Sequence, residues 1–159
     1  MLITPVTAGD FRCVQVIAEL CQTRVDLDAE LKRDWALVWV ARESADTQPI
    51  AFLTAWRAAD EMHVIDLGTH PHHRRRGAAR ALLERLISHA RSLGFSVMVL
   101  EVRQSNRPAI RLYRSLGFVV ARVRRSYYAD AGEDGLEMVL KLDESVPNRI
   151  SADEEMVVK

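Results

Sequence analysis

Arg74, Arg75 and Arg76 stand directly before Gly77, and Gly77 opens a helical pattern in which Ala78, Leu82, Leu86 and Ala90 recur at i, i+4. A helix start carries partial positive charge and unpaired backbone N–H groups, so sequences ordinarily place Ser, Thr, Asp or Asn there, followed by acids. Three arginines oppose that field. Ala78 and Ala79 keep side-chain bulk low ahead of Arg80. This combination suits a cradle for an anion held by backbone N–H groups and guanidinium charge. Leu67-Gly68-Thr69 ends the preceding strand pattern, and a glycine inside a strand marks a bulge or a close approach to the backbone. The competing reading is a solvated arginine run before an ordinary helix. The phosphate loop ending in Gly-Lys-Ser/Thr and the Gly-x-Gly-x-x-Gly turn are both absent. His70, His72 and His73 have no Cys or carboxylate at ligand spacing, so they read as loop residues and no metal is expected.

Glu101 interrupts an otherwise apolar run over residues 96–102. A carboxylate there is costly unless it is wet, paired or functional. Arg103 is the nearest candidate for a salt bridge. Asp66, on the strand pattern over 61–69, is either a second carboxylate able to attract an ammonium group or the acceptor of a structural hydrogen bond. Tyr113 reads from its own neighbourhood as a core aromatic. Tyr127, Tyr128, Glu133 and Asp134 are placed in a polar loop, where they suit a peptide N-terminus and equally a rigid surface hairpin.

The elements that must position these residues follow from the pattern. Residues 2–4 read as a short strand. Thr7 and Asp10 resemble a capping box for a helix running to about residue 22. A second short helix is expected over 25–32, and strands over 37–41, 50–56 and 61–69. A helix from 77 to about 93, closed by Gly94, leads to the β-branched strand 96–102. Strand, long helix and strand form a βαβ unit and hence a parallel pair. A short helix with Pro108 in its first turn follows over 107–116, and strands over 118–124 and 136–142 complete the sheet. One domain over 1–142 is expected, with 143–159 as a polar tail ending in Met-Val-Val-Lys.

The chain has 159 residues, 48% hydrophobic and 28% charged, the profile of a globular protein with a real core. Its 22 basic and 22 acidic residues cancel, so there is no global drive toward nucleic acid or an anionic membrane. The longest apolar run, 35–41, is too short to span a bilayer. No signal peptide is visible. Cys13 and Cys21 are too far apart on one helix to bridge, so they read as buried free thiols in a reducing cytoplasm.

The arginine motif is similar to the acyl-CoA-binding motif of the GNAT superfamily of N-acetyltransferases, Arg/Gln-x-x-Gly-x-Gly/Ala between a strand and a helix. The stretch from Leu100 to Phe118, with its Ser-Asn-x-x-Ala-x-x-Leu-Tyr-x-x-Leu-Gly-Phe pattern, resembles the next block of that family. With the segment around Tyr127 and Tyr128, it most resembles the bacterial ribosomal-protein alanine N-acetyltransferases. The resemblance is strong over about residues 63–142. Two departures stand out. The segment Cys21-Gln-Thr-Arg-Val-Asp-Leu-Asp-Ala-Glu-Leu31 has no aromatic where those enzymes carry a Phe-Pro-Trp-like stretch, and Ala79 replaces the commoner second glycine.

The resemblance implies an α/β fold of the α+β type, the GNAT fold. This has a mixed central sheet of about six to seven strands, about four helices and a parallel strand pair splayed to hold acyl-CoA. It implies acetyl-CoA as co-substrate, with Leu67, Gly68 and Thr69 along the pantetheine arm. Arg74, Arg75, Arg76, Gly77, Ala78, Ala79 and Arg80 would lie at the pyrophosphate, and Asn106 and Tyr113 against the cofactor. Glu101 would be the general base, through water, and the Tyr113 hydroxyl would serve the departing thiolate. Asn106 is also a natural N-cap for the helix it precedes. The expected acceptor is a protein or peptide N-terminus, with a small amine or amino acid as the alternative and a CoA-binding regulatory domain without turnover as a third. The expected molecule is a cytoplasmic monomer or weak homodimer with no nucleic-acid or membrane partner.

Overall fold

The structure is a computed structural model, and it describes residues 1–128 and 132–143. These residues hold seven strands and four α-helices. The described residues divide into two compact units, one of residues 1–59 and 63–89, the other of 60–62 and those from Ala90 to Asp143.

The first unit begins with β1 (Leu2–Pro5), then α1 (Phe11–Leu20) and α2 (Leu27–Leu31). Strands β2 (Ala36–Arg42), β3 (Ala51–Ala58) and most of β4 (Glu61–Thr69) follow. β1 pairs antiparallel with β2 and β2 with β3, in a register that sets Thr4 opposite Val40 and Val40 opposite Phe52. Ala51 to Ala55 are all buried, as in a strand covered on both faces. Val14, Ile17 and Ala18 form the apolar stripe of α1 and pack with Leu27, Val38, Val40 and Phe52.

The helix expected over 7–22 is shorter than its pattern. Residues Ala8–Asp10 form a 3₁₀ turn. The Asp10 carboxylate accepts from the Thr7 backbone N–H at 3.0 Å and from the Thr7 hydroxyl at 3.1 Å, so the Thr7–Asp10 pair expected from the sequence is present. Arg42 donates to both oxygens of the same carboxylate at 3.0 Å. Burial would raise the Asp10 pKa, but the Thr7 and Arg42 hydrogen bonds outweigh it and hold it below the usual carboxylate range.

Helix α3 (Ala78–Ser92) carries the predicted apolar row inward: Ala78, Leu82, Leu86 and Ala90 are all buried. It ends where expected, with the Gly94 N–H donating to Arg91 O and the Phe95 N–H to Ala90 O.

The second unit contains β5 (Val97–Arg103), α4 (Arg107–Ser115), β6 (Val119–Tyr128) and β7 (Glu133–Lys141). β7 lies between β5 and β6 and is antiparallel to both. Met98, Leu100, Ile110, Tyr113, Phe118, Met138 and Leu140 are buried. Two sequence expectations are corrected here. Tyr127 and Tyr128 lie in β6, and Glu133 and Asp134 in β7, not in a loop. The strand continues past Arg124 through an irregularity between Arg124 and Tyr128, at which Ser126 takes φ 53° and its N–H donates to Asp134 Oδ1 at 2.8 Å. The proposed tail, beyond Asp143, lies outside the described residues.

Candidate active site

In the first unit, β4 ends at Leu67, Gly68 and Thr69, and a 3₁₀ turn over Pro71–His73 leads to the arginines. Gly68 is a place of close approach: a Cβ there would stand 2.8 Å from Phe52 Cε1 and 3.3 Å from Cys21 Sγ. The Cys21 thiol reaches Thr69 O at 3.3 Å. Cys21 therefore packs against this strand end, although it is distant from the arginine motif in sequence. Both cysteines are free, and each is half-buried rather than fully buried.

Arg75 has φ 65° and Gly77 φ 82°, so the chain passes twice through the left-handed region within three residues. A non-glycine residue held there stores strain that the surrounding structure must sustain. The Ala81 N–H donates to Gly77 O at 2.9 Å. Gly77 is thus the cap, and the N–H groups of Ala78, Ala79 and Arg80 precede the first intrahelical bond. The first turn holds no acidic residue, and a Cβ on Gly77 would meet nothing within 4 Å. The space beside Gly77 is open, while Ala78 next to it is buried. The arginines do not act alike, however. Arg76 pairs with Glu43 at 2.6 Å and Arg80 with Glu84 at 3.6 Å. Arg74 and Arg75 are exposed.

Asp66 takes the structural option. Thr23 Oγ1 donates to its Oδ1 at 2.5 Å and Thr54 Oγ1 to its Oδ2 at 3.2 Å. Burial nevertheless raises its pKa above the usual carboxylate value, partly offset by those two hydroxyls and reinforced by the Glu30 charge. The Glu30 carboxylate is itself buried and accepts from Trp56 Nε1 at 2.7 Å and Arg33 at 2.6 Å.

In the second unit, Glu101 sits directly opposite Glu137 across β5 and β7. Its ion-pair partner is Arg124 on β6, with Nη1 3.3 Å from Oε1. Arg103, the partner suggested by sequence proximity, instead lies 3.7 Å from Glu133 and over the Tyr128 ring at 4.2 Å. Glu101 Oε2 is buried and has no hydrogen-bond partner among the described residues. The Tyr127 phenol is held above its ordinary pKa first by a hydrogen bond to the Glu101 carboxylate, then by burial and the Glu101 charge, with Arg124 opposing. Gly135 makes room for both tyrosines: a Cβ there would stand 3.0 Å from Tyr127 Cδ1 and 3.1 Å from Tyr128 Cε2.

Asn106 caps α4, its Oδ1 accepting from the Ala109 N–H at 3.3 Å. The turn before it is tied down by Glu133, which accepts from the Ser105 N–H at 2.7 Å. Tyr113 is buried on α4 against Phe118, with ring centroids 5.9 Å apart. Burial pushes its pKa up to about 12, with the nearby Tyr128 adding to the shift.

The family model described as acetyltransferase (GNAT) family matches residues 11–118. The chain belongs to the GNAT family. Its fold is the GNAT fold expected from the arginine motif and the Asn106–Tyr113 block. The [ribosomal protein bS18]-alanine N-acetyltransferase of Escherichia coli K12 is 42% identical over 94 residues, covering 58% of this chain. The chain spans 64% of the length of that curated relative. The crystal structure of the ribosomal-protein-S18-alanine N-acetyltransferase from Escherichia coli superposes with TM-score 0.80 and 30% identity, covering 92% of this chain and 97% of that one. The structure of yncA from Salmonella typhimurium, solved with its cofactor acetyl-CoA, gives TM-score 0.72 and 27% identity over 90% of this chain and 94% of its own. Among the described residues, no group of three or more His, Cys, Asp or Glu is placed to hold a metal. No helix among them is long and apolar enough to cross a membrane.

Proposed function

We propose that this GNAT protein is an acetyl-CoA-dependent N-acetyltransferase that acts in the cytoplasm on the N-terminal α-amino group of a protein such as a ribosomal protein. The observation that carries the reading is Glu101 Oε2, a buried carboxylate oxygen left without a partner. Burying an unsatisfied polar group costs about 1–3 kcal/mol. Arg124 engages the other oxygen, leaving this one for a substrate proton or the water that relays it.

Acetyl-CoA supplies the activated acetyl group as a thioester. The open space at Gly77 and the N–H groups of Ala78, Ala79 and Arg80 would receive its pyrophosphate, beside Arg74 and Arg75. The backbone of Leu67 to Thr69 would pair with the pantetheine arm. The Asn106 oxygen is committed to its cap, so its amide nitrogen is the group left for the cofactor. Glu101 takes the proton of the acceptor ammonium, directly or through one water, and the freed amine attacks the acetyl carbonyl; the carbon–sulfur bond then breaks, and the second proton of the new amide nitrogen passes through solvent to the departing thiolate, giving CoA thiol. An α-amino group titrates near pH 8, so this demands little of the base. Tyr113 serves the departing sulfur. Burial holds the Tyr113 phenol up to about 12, so its hydroxyl stays protonated near neutral pH and is available as a hydrogen-bond donor to that sulfur.

The test is CoA thiol release on incubating the protein and acetyl-CoA with peptides beginning Ala, Ser, Gly or Met, beside polyamines and free amino acids. Acetylation of a peptide α-amine, slowed at least tenfold by Glu101→Gln, is the expected result. Turnover only on small amines would favour the small-molecule alternative. CoA binding without thiol release would point to a regulatory domain.

A further inference from the structure

We propose that Arg124 is a positioning residue for the general base, holding Glu101 in its working rotamer by spanning it and Glu137. This inference rests on the reading of Glu101 as base and deepens it.

Glu101 and Glu137 are direct cross-strand partners on β5 and β7, an arrangement in which like charges repel and rotate apart. Arg124 comes from the third strand, β6, and separates its two terminal nitrogens between them. Nη1 lies 3.3 Å from Glu101 Oε1 and Nη2 3.4 Å from Glu137 Oε2. A guanidinium has a rigid planar fork, so fixing one branch on Glu137 fixes where the other can point. The fork engages only one oxygen of Glu101 and leaves the buried Oε2 unbonded.

Arg124 is itself constrained on several sides. The Tyr127 ring lies 5.2 Å from its guanidinium carbon. Its Nε is buried without a partner among the described residues, so only the two terminal nitrogens are spent on ion pairs. The β6 irregularity beyond Arg124 brings Tyr127 to this place, and Gly135, opposite Arg124 on β7, leaves room for the ring. Arg122 also reaches Glu137, at 3.0 Å, but makes no ion pair with Glu101. Arg122 therefore serves as an internal control for loss of charge on the same strand.

A double-mutant cycle decides the matter, because a residue that acts through Glu101 has nothing to act on once Glu101 cannot take a proton. The variants are Arg124→Gln, Arg124→Lys, Arg122→Gln, Glu101→Gln and the double variant of Glu101→Gln with Arg124→Gln. Each is assayed for kcat and for the KM of acetyl-CoA, with melting temperature recorded. The expected outcome is a tenfold or greater fall in kcat for Arg124→Gln at unchanged KM for acetyl-CoA. Arg124→Lys should recover part of it, and Arg122→Gln should stay within about twofold of wild type. Adding Arg124→Gln to Glu101→Gln should cost nothing further. Equal fold-losses from Arg124→Gln in both backgrounds would mean a structural effect and overturn the proposal, as would wild-type kcat in the single variant. A wild-type rate for Glu101→Gln would instead remove the base assignment on which the proposal rests, so the two failures are distinct.

Discussion

The Thr23 hydroxyl, just after α1, donates a 2.5 Å hydrogen bond to Asp66 on β4, and Thr54 on β3 donates to the second oxygen of the same carboxylate. The pair ties the segment without aromatics to the strand that carries Leu67, Gly68 and Thr69. Burial raises the Asp66 pKa despite both hydroxyls. The native state therefore binds this proton more tightly than the unfolded chain does, and the contribution of Asp66 to stability declines as pH rises from the ordinary carboxylate pKa through its raised value. Asp66→Asn removes that titration and keeps an acceptor for one threonine. Its melting temperature, relative to wild type, should climb between pH 4 and pH 7. A difference that stays constant over that range would show that the carboxylate does not titrate differently in the two states.

Gly68 is explained by packing before any ligand is considered. A methyl group there would press on the Phe52 ring at 2.8 Å, inside a core where Phe52 is fully buried. Gly68→Ala should therefore destabilise by about 1–3 kcal/mol, the usual cost of overpacking. Chemical denaturation measures this directly. An unchanged midpoint would mean that the Phe52 ring moves aside freely.

Much of this was legible in the residues because it depends on local periodicity. The strand over 61–69 and the inward row of α3 were readable from the order of apolar residues alone. The partner of Glu101 was not. Arg103 is two residues away, whereas Arg124 reaches Glu101 only through the combined registers of β5, β7 and β6. The place of Tyr127 was hidden for a similar reason. Ser126 takes a left-handed conformation that its residue type does not announce, and an irregular strand reads as a loop when only alternation is counted. In the sequence the arginine triplet forms one set, yet Arg76 is engaged by Glu43, which lies 33 residues earlier.

Gly77→Glu tests the cradle. The position combines φ 82° with open space, so the substitution adds backbone strain, bulk and negative charge where the pyrophosphate is proposed to lie. Acetyl-CoA affinity measured by calorimetry should fall more than tenfold, with circular dichroism still native. Arg76→Gln should weaken binding less, because the Arg76 guanidinium is shared with Glu43. Full affinity in a folded Gly77→Glu protein would rule out this site for the phosphate groups.

Tyr113→Phe keeps the ring against Phe118 and removes only the hydroxyl, which separates the catalytic role from packing. If that hydroxyl hydrogen-bonds the departing sulfur, kcat should drop by roughly 10–100-fold, the worth of a hydrogen bond to a charged group, with little change in the KM of acetyl-CoA. Stability supplies a second readout. The native phenol, at about 12, holds its proton more tightly than an unfolded tyrosine near 10. Its contribution is complete below pH 10 and is lost as pH rises toward 12. Wild type should therefore lose stability over that alkaline range more steeply than Tyr113→Phe. A variant that matches wild type in kcat and differs only in this alkaline slope would leave Tyr113 a buried core aromatic with no part in the reaction.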